Sequence, residues 1–291
     1  MKICSKCGQH FNQSAWDCLV CGYTPPEIEG HLSFAPELTD ASEGFEASAF
    51  PILAKLEAKN FWFRSRNRLV IYALKHYFPK AENFLEIGCG TGFVLQNIEK
   101  HFPYLTCSGS EIFLAGLKFA TERLHKTTLF QMDARRIPFS EEFDIIAAFD
   151  VLEHIEQDKE VLAQMYRAIH NTGGVILTVP QHPWLWSQSD TYAHHVRRYV
   201  KKDLIIKLKQ AGFKVVRVTS FVSFLLPLML ISRINNRSNS KEYEPISEFK
   251  ISDFLNFILE KILDFEIWLI KLGFSFPLGG SLLVIAYKNN L

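Results

Sequence analysis

The sequence predicts an α/β fold, a largely parallel sheet with helices on both faces, preceded by a small module held by cysteines. Three observations carry this reading. Between Asn83 and Tyr287 short apolar runs alternate with stretches of helical periodicity, the order expected of βα units. The apolar run Phe84–Ile87 leads into glycines at every second position, Gly88, Gly90 and Gly92. The first 22 residues hold two copies of a C-x-x-C-G pattern. Strands are expected at Asn83–Ile87, Leu105–Ser110, Thr128–Gln131, Phe143–Ala148, Gly174–Thr178, Phe213–Thr219 and Leu282–Tyr287. The last follows a long insertion instead of an ordinary crossover, so an antiparallel strand fits there.

A chain of 291 residues leaves room for one enzyme-sized domain with attachments. With 48% hydrophobic and 22% charged residues it can bury a core, which excludes wholesale disorder. The net charge of +1 hides local imbalance: Glu27–Glu57 carries seven acids against one lysine, and Val196–Arg217 eight bases against one acid. General binding to polyanions is therefore not expected, although individual surfaces are basic.

Cys4 and Cys7, then Cys18 and Cys21, stand ten residues apart. Each pair sets two sulfurs on one tight turn, and the glycine after it lets the backbone curl so that amides face the thiolates. Four converging thiolates suit a tetrahedral zinc ion, whose binding supplies folding energy that so short a module cannot draw from a core. The alternative is a redox or disulfide-bonded set. No apolar export stretch follows Met1, and the other two cysteines lie in expected core or loop positions, so a reducing, cytoplasmic setting is expected. Residues 1–24 read as a zinc ribbon, 25–50 as a Pro/Glu-rich linker or arm, and 51–291 as the α/β domain. From Phe50 a helical pattern runs to Pro79, with an aromatic and basic cluster at Phe61–Arg66. That cluster reads either as packing with its arginines in water or as a lid over a ligand.

Glycines at 88, 90 and 92, between a strand end and a helix start, present free amides at the carboxyl edge of a parallel sheet, where such folds bind ligands. The spacing is G-x-G-x-G, not the dinucleotide G-x-G-x-x-G, and the Lys-Ser/Thr of a P-loop is missing. Glu86-Ile87-Gly88-Cys89-Gly90-Thr91-Gly92 resembles the signature loop of class I S-adenosylmethionine-dependent methyltransferases. Three further stations agree: Gly109-Ser110-Glu111-Ile112, with its acid 19 residues after Gly92; Met132-Asp133-Ala134 with Ile137-Pro138-Phe139; and Phe149-Asp150-Val151-Leu152-Glu153-His154-Ile155. The last resembles the subgroup that includes ubiquinone-biosynthesis O-methyltransferases. The resemblance implies a Rossmann-like, seven-stranded methyltransferase sheet that binds S-adenosylmethionine. It implies that Glu86, Gly88, Gly90, Gly92, Glu111, Ile112, Asp133, Ala134 and Asp150 bind the cofactor. Independently of the family, a carboxylate at Glu111 suits a vicinal diol and Asp133 suits an exocyclic amine, while Ile112 would lie on the purine. The departures are Glu111 in place of the commoner aspartate and the insertion before the last strand.

His154, at the carboxyl end of the fourth strand, is the expected general base if the acceptor must lose a proton; the alternative is a structural imidazole. After the fifth strand, His182, Trp184, His195 and Arg197 form the expected acceptor wall, with flat apolar surface, imidazoles and paired arginines; packing and helix capping are the competing reading. A metal held by His182, His194 and His195 is not expected from their spacing.

The insertion at about 221–273 contains Phe221–Ile231, uncharged over eleven residues and too short to span a bilayer, then a Ser/Asn stretch to Asn239, then Phe254–Leu272. The last places Phe254, Ile258, Ile262, Phe265, Leu269 and Leu272 on one face. Such a pair suits a membrane interface, the wall of a long apolar pocket, a homodimer face or ordinary core. The expected activity is methyl transfer to a small-molecule or lipid-linked acceptor, with peripheral membrane contact. Two alternatives are a ribosomal RNA methyltransferase gripping RNA with its ribbon and a non-catalytic cofactor-binding scaffold. The RNA reading is weakened by two lysines against three acids in the first 30 residues.

Overall fold

A computed structural model describes residues 1–39, 49–237 and 251–289. The elements are β1 (Lys2–Ile3), β2 (His10–Phe11), β3 (Glu27–Ile28), β4 (His31–Ser33), α1 (Phe50–Leu56), α2 (Phe61–Tyr77), β5 (Asn83–Ile87), α3 (Phe93–His101), β6 (Thr106–Glu111), α4 (Leu114–Arg123), β7 (Thr128–Gln131), β8 (Phe143–Phe149), α5 (Asp158–Ala168), β9 (Ile169–Pro180), α6 (Gln188–Tyr192), α7 (Lys201–Gln210), β10 (Phe213–Phe221), α8 (Leu226–Arg237), α9 (Asp253–Lys271) and β11 (Ser281–Lys288). The main sheet has nine strands in the order β10-β11-β9-β8-β5-β6-β7-β4-β3. The central strands β9, β8, β5, β6 and β7 are parallel, so their carboxyl ends share one edge. The seven expected strands are all present. β11 is antiparallel, and it is not an edge addition: it sits between β9 and β10.

Successive residues of a strand face opposite sides, which β5 illustrates. Phe84 enters the core beneath α2, α3, α4 and α9, whereas Leu85 and Ile87 enter the core beneath α5 and α7. Both layers are continuous, and Phe84, Leu85, Ile145, Ile146 and Ile176 are fully buried. The central strands consequently read as unbroken apolar runs.

The arm does more than connect. Glu29 and Gly30, with φ of +50° and +80°, form a two-residue turn between β3 and β4. β4 then pairs in parallel with the edge strand β7 through Leu32↔Phe130 and Ser33↔Gln131. The Gln131 side chain accepts from Ser33 Oγ at 2.7 Å and Ala35 N at 3.1 Å and donates to Ala35 O at 2.9 Å. Phe34 stacks among Trp16, Phe130 and Phe139, so one aromatic cluster joins cysteine module, arm and sheet.

In the insertion, α9 buries Leu259, Leu263, Ile267 and Ile270 against α2. Its other side leaves Phe254, Phe257, Phe265, Trp268 and Leu272 exposed. An apolar groove of about 570 Å³ runs along it, lined by Phe224, Phe257, Ile258, Lys261, Ile262 and Phe265. No helix among the described residues is long and apolar enough to cross a membrane. Ser238 and Asn239, the end of the expected Ser/Asn stretch, lie outside the described residues, as do 40–48 of the arm.

Candidate active site

The carboxyl edge of the parallel strands gathers most of the residues singled out from the sequence. The loop after β5 adopts left-handed backbone at Gly88 (φ +67°), Gly90 (+52°) and Gly92 (+75°). At Gly88 the reason is also steric, since a Cβ there would stand 2.5 Å from Val151 Cγ2. At Gly90 the only neighbour of such a Cβ would be Phe50 Cε1 at 3.7 Å, an ordinary contact. Glycine at 90 therefore answers to its left-handed backbone and not to packing.

Glu111 ends β6 and is buried. Its carboxylate accepts from Gly90 N at 3.0 Å, Ile112 N at 2.8 Å and Phe113 N at 3.2 Å, which ties the second strand end to the glycine loop. Burial raises its pKa and these three amides oppose the shift. Glu86, the last acid before the loop, is buried with Oε2 lacking any hydrogen-bond partner among the described residues. Burial pushes its carboxyl well above the ordinary range, and the Arg66 guanidinium counteracts this. An orphaned carboxyl oxygen beside a glycine loop fits an amine-bearing ligand, because a donor there removes the cost of leaving the atom unpaired.

Helix α1 lies across this loop. Phe50 packs against Phe113 and Gly116 as well as Gly90. Glu57 accepts from Thr91 Oγ1 at 2.6 and 2.8 Å and pairs with Arg123 at 2.9 Å. Neither the apolar groove nor a 420 Å³ hollow beside Arg64 and Phe93 is lined by the glycines.

Asp133 follows β7 and is held by Arg135, whose Nε stands 3.0 and 2.9 Å from its two oxygens; Ala134 is buried beside it. Ile112 is half-buried next to Glu111, and its carbonyl accepts from Gln131. Asp150 follows β8 with φ of +58° and accepts from Arg66 Nη1 at 2.5 Å and Thr178 Oγ1 at 3.2 Å. Arg66 in turn lies 4.5 Å from the Trp62 ring. The arginines of the Phe61–Arg66 cluster are thus not in water: Arg66 reaches the site, and Arg64, with Arg68 beyond the cluster, pairs with Glu260 of α9.

On the acceptor side, His154 meets His195 with ring centroids 4.7 Å apart. Burial, helped by the neighbouring His195, drives the His154 pKa down to about 3. An imidazole that resists protonation so strongly is a weak general base near neutrality. His195 Nδ1 lies 2.9 Å from Asp190 Oδ1, and Arg198 Nε stands 2.7 Å from the same oxygen. Burial disfavours the Asp190 carboxylate, yet His195 and Arg198 outweigh it and hold the group well below the usual range. His182 stacks on the exposed Trp184 at 4.9 Å. Arg197 departs from the expected acceptor wall: its guanidinium is engaged with Ile155 O at 2.6 Å, Glu156 O at 3.1 Å and Asp158 at 3.2 Å, which braces the loop after β8. Its neighbour Arg198 occupies the inner position.

At the amino terminus Cys4, Cys7, Cys18 and Cys21 bring their sulfurs within 4.8 Å of one another. Cys4–Cys21 and Cys7–Cys18 are each 3.6 Å apart, close to the roughly 3.8 Å that Zn–S bonds of ~2.3 Å give in a tetrahedron. The Cys21 amide is the main influence lowering Cys18 to about 6, against burial and with help from Val20. Gly8 and Gly22, both at positive φ, close the two knuckles by donating to Cys4 O and Cys18 O. The donor set fits a structural zinc.

The residues missed by sequence reasoning are Phe50, Glu57, Thr91 and Arg123 over the loop, and Arg66, Glu153, Asp190 and Arg198 at the acceptor side. Of these, Thr91 and Glu153 lie inside the family-like motifs and Arg66 inside the aromatic and basic cluster.

Known proteins give the same answer. A family model described as "Methyltransferase domain" matches residues 55–218. Phosphoethanolamine N-methyltransferase 2 of Haemonchus contortus, solved with S-adenosyl-L-methionine, superposes with a TM-score of 0.58 at 18% identity, over 87% of this chain and 60% of that one. The [4+2]-cyclase SpnF has a TM-score of 0.56 at 14% identity, over 83% and 93%. Polyketide synthase ThaQ of Burkholderia thailandensis is 26% identical over 116 residues, which is 38% of this chain and 6% of that protein's length. These likenesses concern the fold; the family model, covering more than half of the sequence, is decisive. The chain belongs to the methyltransferase domain family.

Proposed function

We propose that this enzyme methylates an amphipathic acceptor whose polar end meets the cofactor at the carboxyl ends of β8 and β9, the acceptor being a quinone precursor or a lipid-linked glycan. The observation that carries the reading is the buried, unpartnered Glu86 Oε2 beside a glycine loop whose Gly90 is free of packing constraint. When bound, the cofactor supplies an electrophilic methyl on a sulfonium. The residues placed to hold it are Glu86 for its amine, the 88–92 amides for its chain, Glu111 for the ribose diol, with Ile112 and Asp133 about the base. Holding acceptor and methyl in line in a dry site supplies much of the acceleration, with effective molarities of about 10⁵–10⁸ M in oriented reactions.

The acceptor's apolar part is assigned to the groove along α9 or to the bilayer on which that face rests. Exposed Phe254, Phe257, Phe265, Trp268 and Leu272 support this, with Lys261 and Lys271 at the margin for an anionic surface. The motif at Phe149–Ile155 supports likeness to the ubiquinone-biosynthesis O-methyltransferases. The cysteine module is read as a structural zinc ribbon. Its most exposed large hydrophobic residues are Leu19 and Val20, which does not favour RNA.

A fold of this kind also carries a cyclase, so architecture alone does not give the reaction. The test is transfer of labelled methyl into a cell extract fractionated into lipids, quinones and RNA. Label in the organic phase supports the proposal; label confined to RNA overturns it.

A further inference from the structure

We propose that Glu153, His154 and His195 form a site for a divalent transition-metal ion at the acceptor end of β8. Each offers a ligand atom, and the three lie within 4.8 Å of one another. Glu153 is fully buried, and neither carboxylate oxygen has a hydrogen-bond partner among the described residues. A bound cation would give both oxygens a partner.

The two imidazoles are prepared for the same task. His154 meets His195 edge to face, with ring centroids 4.7 Å apart. His195 directs Nδ1 to Asp190 at 2.9 Å, which fixes the tautomer and leaves Nε2 as the ligand. Asp190 is itself clamped, by Arg198 Nε at 2.7 Å, Ser187 N at 2.8 Å and Ser187 Oγ at 3.0 Å. This carboxylate–histidine relay is the outer support that metal-bound histidines carry. The surrounding charges Arg66–Asp150 and Arg198–Asp190 cancel in pairs, so Glu153 alone balances the ion and the site retains one positive charge for an anionic ligand.

Two imidazoles and one carboxylate select zinc, cobalt, iron or manganese over magnesium and calcium, which prefer all-oxygen shells, and three protein ligands leave positions open. The inference deepens the methyl-transfer reading and rests on it: the acceptor atom is a hydroxyl oxygen that the ion holds and acidifies, its proton passing to water before transfer. This removes the need for His154 as a base.

The probe is Co²⁺ added to the full chain already loaded with zinc at the cysteines. Wild type should take up one equivalent, giving visible d–d absorption without the thiolate charge-transfer bands of a cysteine site. Glu153→Gln and His195→Ala should abolish the uptake, and Asp190→Asn, which weakens the support of His195 and leaves the Arg198 charge unbalanced, should weaken it about 10–100-fold. Calorimetry with S-adenosylhomocysteine on every variant reports folding and tests the methyltransferase reading separately. Normal nucleoside binding in wild type with no cobalt uptake overturns the metal site alone. Equal uptake by wild type and by both ligand variants overturns it as well.

Discussion

Gly90 and Gly88 share left-handed backbone, and the account separates them by what surrounds each. Alanine at 90 pays only the left-handed penalty, about 1–2 kcal/mol, because its nearest neighbour is Phe50 at 3.7 Å. Alanine at 88 adds overlap with Val151 Cγ2 at 2.5 Å, and overpacking of this kind costs a further ~1–3 kcal/mol. Chemical denaturation should therefore place Gly88→Ala roughly 2–5 kcal/mol below wild type and Gly90→Ala within about 2. Ligand affinity should run the other way relative to stability. The Cβ at 90 stands where the cofactor's chain must approach, so Gly90→Ala should bind S-adenosylhomocysteine about ten- to hundredfold more weakly by calorimetry while remaining folded. Wild-type affinity in folded Gly90→Ala would refute the reasoning, and so would equal destabilisation by the two substitutions.

The cysteine module should carry about one zinc per chain by elemental analysis, and Cys4→Ser or Cys18→Ser should lose it, with loosening of β1 where Ile3 N donates to Pro138 O at 2.9 Å. Glu266 is fully buried and accepts from Ser223 N and Phe224 N; burial raises its pKa, so its contribution to stability is present below the unfolded carboxyl pKa and is lost as pH rises through the folded value. The stability of Glu266→Gln relative to wild type should therefore improve as pH rises above the ordinary carboxyl pKa of about 4.3, and a flat difference would contradict the raised pKa. The α9 face should bring the protein up with anionic vesicles on flotation, at ~1.5–3 kcal/mol per fully buried side chain, less so at high salt. Replacing Phe254, Ile258, Phe265 and Leu272 with serine should leave it with the aqueous fraction, whereas a stable dimer split by these changes would make the face an oligomer interface.

How much of this was legible in the sequence depends on the range of the causes. The seven main strands and the glycine loop were readable because apolar runs and left-handed turns are local. The β3–β4 hairpin was hidden by strands of two and three residues, too short for any periodicity, although Glu29-Gly30 is a turn signal. Arg66 looked like a solvated helix face because its partner Asp150 is 84 residues away. Arg197 and Arg198 could not be told apart: adjacent residues of an extended segment point to opposite sides, and only the pairing of Tyr199 with Gln181 decides which guanidinium turns inward. Glu153 stood within a recognised motif, yet its burial and unpaired oxygens are tertiary facts. The cover that Phe50 and Glu57 form over the loop is likewise a contact between segments, with no sequence signal.

The central claim is methyl transfer through the pocket that joins Gly90 and Glu111, and single-turnover labelling tests it most directly. Purified wild type with S-adenosylmethionine carrying a labelled methyl group, incubated with a membrane extract, should move label into organic-soluble material. Glu111→Gln, which fills the same space but gives up a charge-assisted bond of about 1.5–3 kcal/mol, should bind the cofactor about ten- to hundredfold more weakly and lose most of that transfer while keeping its fold. Tight nucleoside binding by wild type with no label in lipid, quinone or RNA fractions would contradict the account and leave a binding protein in place of an enzyme.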